Sequence, residues 1–289
     1  MSSLKSMICT KHFVESQLPE KRKKLLSYLS TSGQDQYQKT PTVQTGAFED
    51  LSLSGLLGKI DPSHFVNVLS PLAHETKIAY LSALSPHIRN EVANFLSIKD
   101  SFYEYEPKLR EDFLQKILSL LCAGQSPILP FSYFPDDPLL FLVKADGIEL
   151  STLCCFLGLF DLIEEIPKVI DGKLLVKLEE ALSPDEISVL QEIGRMRGEK
   201  VHFEEIGLRH WNGDVSLLRG VLKERGINRL AKALSHSFGD LIWLVEQIMD
   251  ARMKIEFQRY RIEMGDRKQV DLLIKQVRFC WEKICTHSH

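Results

Sequence analysis

His74 and Glu75 stand side by side, the opening of the His-Glu-x-x-His pattern that brings two imidazoles to one zinc ion from a single helix face. The second histidine is absent, because Ile78 holds its position. Cys280, Cys285, His287 and His289 gather four metal-capable side chains near the C-terminus, but their spacing matches no standard zinc pattern, and a frayed end is the expectation. The chain has no Gly-rich phosphate loop, no dinucleotide-binding glycine fingerprint and no G-x-S-x-G nucleophile elbow. Its nine histidines are scattered, mostly in polar contexts, where solvated or capping roles are expected. No catalytic, cofactor-binding or metal-ligating residue is assigned, and a non-enzymatic protein is expected.

The remaining chemistry is charge. Arg252, Arg259, Lys268, Lys275 and Lys283 are interleaved with Tyr260, Phe279 and Trp281. Basic residues with aromatics between them are one signature of nucleic-acid binding. Glu256, Glu263, Asp266, Asp271 and Glu282 fall among them, which breaks up a stripe able to track phosphates. The competing reading is the outer face of a helical layer. Its aromatics turn inward, and its mixed charges orient a protein partner.

Bulk properties are those of an ordinary soluble globular protein. The 289 residues are 44% hydrophobic and 26% charged, with a net charge of -3, so nothing pulls the chain as a whole toward nucleic acid or membrane. The longest apolar-rich run, Leu150 to Phe160, stops at Asp161, short of the roughly 20 residues a membrane-spanning helix needs. The N-terminus lacks an apolar core and a cleavage site, so no signal peptide is expected and membrane association would go through a partner. None of the six cysteines forms a C-x-x-C pair, and Cys154-Cys155 lies in an apolar segment, which fits a reducing cytoplasm.

The elements that must carry these residues read as helices throughout. Asp61-Pro62, Ser85-Pro86 and Ser183-Pro184 each combine a capping oxygen with a proline preset for the first helical position. Residues 11–30 read as one helix and 31–47 as a polar linker. Ile88, Val92, Phe95 and Leu96 form an apolar face at helical spacing. Leu139 to Ile170 reads as two or three short helices. Leu217 to Leu222, Ile227 to Leu234 and Leu241 to Ile248 give further stripes. No alternating strand pattern is present, so the fold class is all-α, and the caps share no fixed period.

Two segments together resemble the flagellar motor switch protein FliG family. In the first, Ile60-Asp61-Pro62-Ser63 occupies the position of that family's Glu-His-Pro-Gln helix start, followed by Leu69, Leu72, Leu81, Arg89 and Val92 at matching positions, and later by Asp171-Gly172 with Leu174 and Lys177. In the second, Phe203 to Ile206 and the run from Ser216 to Ser235 are similar to the opening of the family's C-terminal domain, with Met249, Arg252 and Gly265 following in step. The resemblance covers roughly residues 48–97 and 145–285. It implies an armadillo-like superhelix of two helical domains: an N-terminal helix and linker over 1–47, a middle-like domain over 48–199 with an insertion around 98–145, and a C-terminal-like domain over 200–289. It implies a cytoplasmic scaffold of a flagellar-type or type III secretion apparatus, peripheral to the inner membrane through a partner. Other secretion or switch-complex proteins would be its partners, with self-association by domain stacking. Asp61, Pro62 and Ser63 then fall at a partner contact, and Arg252, Arg259 and Lys268 on the charged ridge. The family's acidic pair on that ridge reads Arg259-Tyr260 here, so the scaffold is expected to be kept and the torque function lost. A helical-repeat adaptor unrelated to secretion, and a nucleic-acid-binding regulator using the basic C-terminal helices, are the alternatives.

Overall fold

The computed structural model describes residues 11, 14–15, 19–39, 52–122, 137–196, 201–203, 206–262 and 266–287. Fourteen α-helices run through them, and no strand is found among the described residues, so the all-α reading holds. The first two helices are α1 (Pro19–Ser27) and α2 (Thr31–Lys39), linked by Gln34 Nε2, which donates to the Leu26 carbonyl at 3.2 Å. The polar stretch read as linker is thus helical as far as Lys39, and residues 40–47 lie outside the described residues. The predicted single helix over 11–30 ends at Ser27, because Ser30 starts α2: its hydroxyl accepts from the Gly33 N–H at 3.1 Å and its carbonyl from Gln34 at 2.8 Å.

Five helices follow: α3 (Leu53–Gly58), α4 (Pro62–Leu69), α5 (His74–Ala83), α6 (Pro86–Phe95) and α7 (Pro107–Leu121). They pack on one another around Phe65, Leu81, Val92 and Ile117, all fully buried. The expected Asp61 cap is present, with its carboxylate accepting from the Ser63 N–H at 2.9 Å. Ser85 makes no side-chain cap, so α6 starts on Pro86 alone.

The predicted string of short helices over 139–170 is instead a 3₁₀ turn (Leu140–Lys144) and one 19-residue helix, α8 (Gly147–Glu165), closed by a second 3₁₀ turn (Ile166–Lys168). A reciprocal capping box between Asp146 and Glu149 starts α8. It is apolar on most of its faces and largely buried, so its sequence shows no period that marks one continuous helix. Next come α9 (Gly172–Ala181), α10 (Pro184–Arg195), α11 (Val215–Ala233), α12 (Gly239–Ile248), α13 (Ala251–Tyr260) and α14 (Arg267–His287). The stripes over 217–234 belong to the single helix α11, continued by a short 3₁₀ turn. The C-terminus is helical to His287 rather than frayed.

The most extensive helix pairing joins α8 to α11, which lie on opposite sides of position 199/200. Two glycines let them approach: a Cβ on Gly158 would stand 2.1 Å from the Leu222 carbonyl oxygen, and one on Gly226 1.7 Å from that of Cys154. Arg229 on α11, 1% exposed, pairs with Asp161 on α8 and donates to Gln276 on α14 at 2.7 Å and to the Val201 carbonyl at 3.1 Å. Glu165, at the end of α8, accepts from the backbone N–H groups of Ile206, Gly207 and Leu208, holding the 206–208 turn against the helix. One apolar cluster runs unbroken from Leu56 to Ile284.

Candidate functional site: a groove among helix starts

Four aspartates begin helices at one surface. Asp61 caps α4, Asp146 caps α8, Asp214 caps α11 and Asp250 caps α13, each accepting backbone N–H groups at 2.8 to 3.2 Å. Between them runs a groove in two adjoining sections. One, of about 550 Å³, is walled by His87 and Glu91 of α6, the turn at Asp61 and Pro62, and Ile148 of α8. The other, of about 670 Å³, follows α11 and α13 past Leu217, Arg252 and Glu256. Lys223, Asp250 and Met253 line both sections. Ile148 is 80% exposed and Leu217 55%, so the groove offers apolar side chains among charges of both signs.

The groove's position depends on how α4 meets the turn between α12 and α13. The Asp61 N–H donates to the Gln247 carbonyl at 2.9 Å, and the Ala251 N–H donates to the Ser63 hydroxyl at 3.1 Å. His64 Nε2 lies 2.8 Å from the Met249 carbonyl, and since a carbonyl only accepts, Nε2 carries the proton. His64 is 5% exposed, which corrects the expectation that every histidine is solvated or capping. Burial pushes its pKa below the usual imidazole range. The Met249 bond opposes this, Lys254 adds to it, and Asp61 and Asp250 oppose it. Lys59 ties the same turn to the 3₁₀ segment, its amine donating to the Lys144 and Ala145 carbonyls at 2.8 and 3.0 Å, and burial lowers its pKa.

The six residues assigned to partner binding fall in different places. Asp61, Pro62 and Arg252 line the groove, Arg252 at the rim, 91% exposed and 3.6 Å from Glu256. Ser63 is turned to the Ala251 N–H. Arg259 is exposed on α13 and stacks over Tyr260 at 5.6 Å, and Lys268 is exposed on the first turn of α14; neither lines the groove. Sequence reasoning missed Ile148, Leu217, Lys223 and the caps Asp146, Asp214 and Asp250. An aspartate just before an apolar run is the signal that marks those three caps.

The aromatics of the basic C-terminal segment turn inward, as the competing reading expected. Phe279 meets Phe160 edge-on at 6.4 Å, and Trp281 packs on Phe141 at 5.7 Å. The Tyr260 hydroxyl donates to Glu224, and burial, helped by that carboxylate, pushes its pKa up to about 12. Arg278 donates to the Pro138 carbonyl and Lys283 to Glu192. Rings half-buried against neighbouring helices in this way have less free face for stacking bases.

Cys154 and Cys280 are buried, and burial raises both thiols well above their usual range. Among the described residues no cluster of three or more His, Cys, Asp or Glu could hold a metal ion, and no helix is long and apolar enough to cross a membrane. No protein family, curated protein or solved structure gives a significant match to the chain.

Proposed function

We propose that the chain is a non-enzymatic helical scaffold that takes a segment of another protein into the groove between α6, α8, α11 and α13. On this reading it works in a flagellar-type or type III secretion apparatus, as the sequence resemblance to the FliG family suggests, in the cytoplasm beneath a membrane ring. Its helices act as armadillo-like units, a middle-like domain followed by a C-terminal-like one. The observation that carries the reading is the groove itself. Ile148 and Leu217 stand exposed in a cleft whose walls carry Glu91, Lys223, Arg252 and Glu256, an apolar anchor surface with a charged rim. The motor function is taken to be lost, because the charged ridge presents Arg259 and Tyr260 where the family carries acids.

Affinity purification from the native host tests both parts. The wild-type chain is expected to recover ring, ATPase or switch-complex components, and the double variant Ile148→Asp, Leu217→Asp to lose them while remaining folded. Recovery of none of these components by the wild type sinks the secretion assignment. Equal recovery by the variant sinks the groove as the contact.

A further inference from the structure

Helix α1 reads PEKRKKLLS: four consecutive cations, Lys21 to Lys24, then two leucines. None of its residues is buried; Lys21, Lys23 and Lys24 are exposed, and Leu25 and Leu26 are half-buried. Within the same N-terminal segment Lys11 lies over the Tyr37 ring at 5.4 Å, Val14 and Tyr37 are buried, and Arg22 stands 3.8 Å from Glu15. The segment is thus held together by contacts of its own and turns a cationic helix outward.

The groove has the opposite character. Its four capping aspartates, with Glu91, Glu224 and Glu256, outnumber Lys59, Lys223 and Arg252. The helix starts offset part of this, since each contributes roughly half a positive charge, and the lining still keeps a net charge of roughly -2. Ile148 and Leu217 supply apolar contacts within that field. A nine-residue helix is about 13 Å long, short enough to lie along one section. No residue of α1 lines the groove of its own chain.

We propose that α1 of a second copy of this chain docks in the groove, Leu25 and Leu26 meeting Ile148 or Leu217 while Lys21 and Lys23, which flank the leucines on the helix, reach the carboxylates. Repeated head to tail, this contact is heterologous and builds an open or ring-shaped series of copies rather than a closed pair. The proposal rests on the groove being a binding surface, as argued above, and it names an occupant.

The test is sedimentation of the full chain over a concentration series at low and at physiological salt. Self-association is expected, and it should weaken with salt because the charges at the rim are screened. Lys21→Glu, Lys23→Glu, Lys24→Glu should weaken it by about tenfold or more, as should Glu91→Lys, Glu256→Lys. Neither groove position is a helix cap. Mixing the two variants should restore association, because one supplies an acidic helix and the other a basic groove. A chain that stays monomeric at every concentration, or association that both variants leave unchanged, overturns the proposal. So does a helix variant that keeps self-association but loses binding to vesicles containing anionic lipid, which would make α1 a membrane contact. The two readings fail separately. Host components lost with Ile148→Asp, Leu217→Asp from a monomeric chain would keep the scaffold and remove the self-docking. Charge-swap rescue with host components unaffected would do the reverse.

Discussion

Two of the joints between residues 52–196 and 201–287 are built from different materials. At the α8–α11 crossing, backbones touch where Gly158 and Gly226 leave room, and Asp161 and Arg229 pair in a site closed to water. At the joint between α4 and the α12–α13 turn, Asp61, Ser63 and His64 make hydrogen bonds to Gln247, Ala251 and Met249 at the edge of an open groove. The crossing has no slack, since any added atom meets backbone. The second joint has fewer contacts, and one of them is made by a histidine whose pKa burial pushes below its usual value. A chain with a stiff centre and a joint of fewer contacts beside an open groove concentrates its conformational freedom beside that groove.

Breaking the stiff joint should have the largest effect. Arg229→Leu leaves the Asp161 carboxylate buried without its guanidinium and strips the Val201 carbonyl of a donor, so unfolding free energy from urea titration should fall by about 3–5 kcal/mol. Burial already pushes the Asp161 pKa upward and the Arg229 hydrogen bond and charge hold it down, so in the variant that carboxyl should take up a proton. Adding Asp161→Leu should recover part of the loss, because two apolar side chains leave no buried charge. Full loss in the double variant would mean that the Val201 and Gln276 contacts matter more than the ion pair.

Gly226→Ala tests the same crossing through shape alone. The new methyl would stand 1.7 Å from the Cys154 carbonyl oxygen, so α8 and α11 must move apart, and a loss of about 3 kcal/mol is expected. Gly220, on the same helix, has nothing within 4 Å of an added Cβ. Gly220→Ala should therefore stabilise by roughly 0.5–1 kcal/mol through helix propensity. Two glycines of one helix giving opposite signs would locate the crossing; equal signs would remove it.

These two joints were not equally legible in the sequence. Asp61-Pro62 announces a helix start by residue type alone, and the structure puts the cap where that pattern expects it. The crossing was hidden. Gly158 sits in an apolar run where a glycine reads as a weak spot in a helix, and its role depends on Leu222, more than sixty residues away. Arg229 lies within the stripe Ile227 to Leu234, where no local pattern marks it, and Asp161, Gln276 and Val201 from three other segments enclose it. Local patterns report caps and faces; pairings between distant helices are set by shape and by partners that no window contains. The groove was half legible for the same reason. Asp61 and Arg252 were singled out one at a time, while Ile148 and Leu217 are ordinary apolar residues until folding leaves them exposed in the two adjoining sections of the groove.

The polar joint should respond to pH. His64 is held neutral by burial, and its folded-state pKa lies below the usual value of 6.5. The unfolded chain therefore binds more protons through that window. The contribution of His64 is complete above about pH 6.5 and is lost as pH falls through the folded-state value. Lys254 reinforces the shift, while the Met249 bond, Asp61 and Asp250 limit it. Urea midpoints measured across mildly acidic pH should fall more steeply for the wild type than for His64→Gln, which keeps a donor for Met249 but does not titrate. Parallel curves for the two proteins would show that the joint is not pH-sensitive through this ring.

The smallest effect separates the helix cap from the joint it sits beside. Asp61→Ala removes the acceptor for the Ser63 N–H and should lower stability by about 1 kcal/mol. The bond from the Asp61 N–H to Gln247 is backbone to backbone, and those of Ser63 and His64 do not involve the Asp61 carboxylate, so the joint itself should persist. Partner capture at a temperature where the variant stays folded then reports whether the carboxylate touches a ligand. Binding that survives assigns Asp61 to the cap alone. Binding lost without a matching loss of stability makes it part of the groove's recognition surface, which would leave the weaker of the two joints structurally continuous with the site it borders.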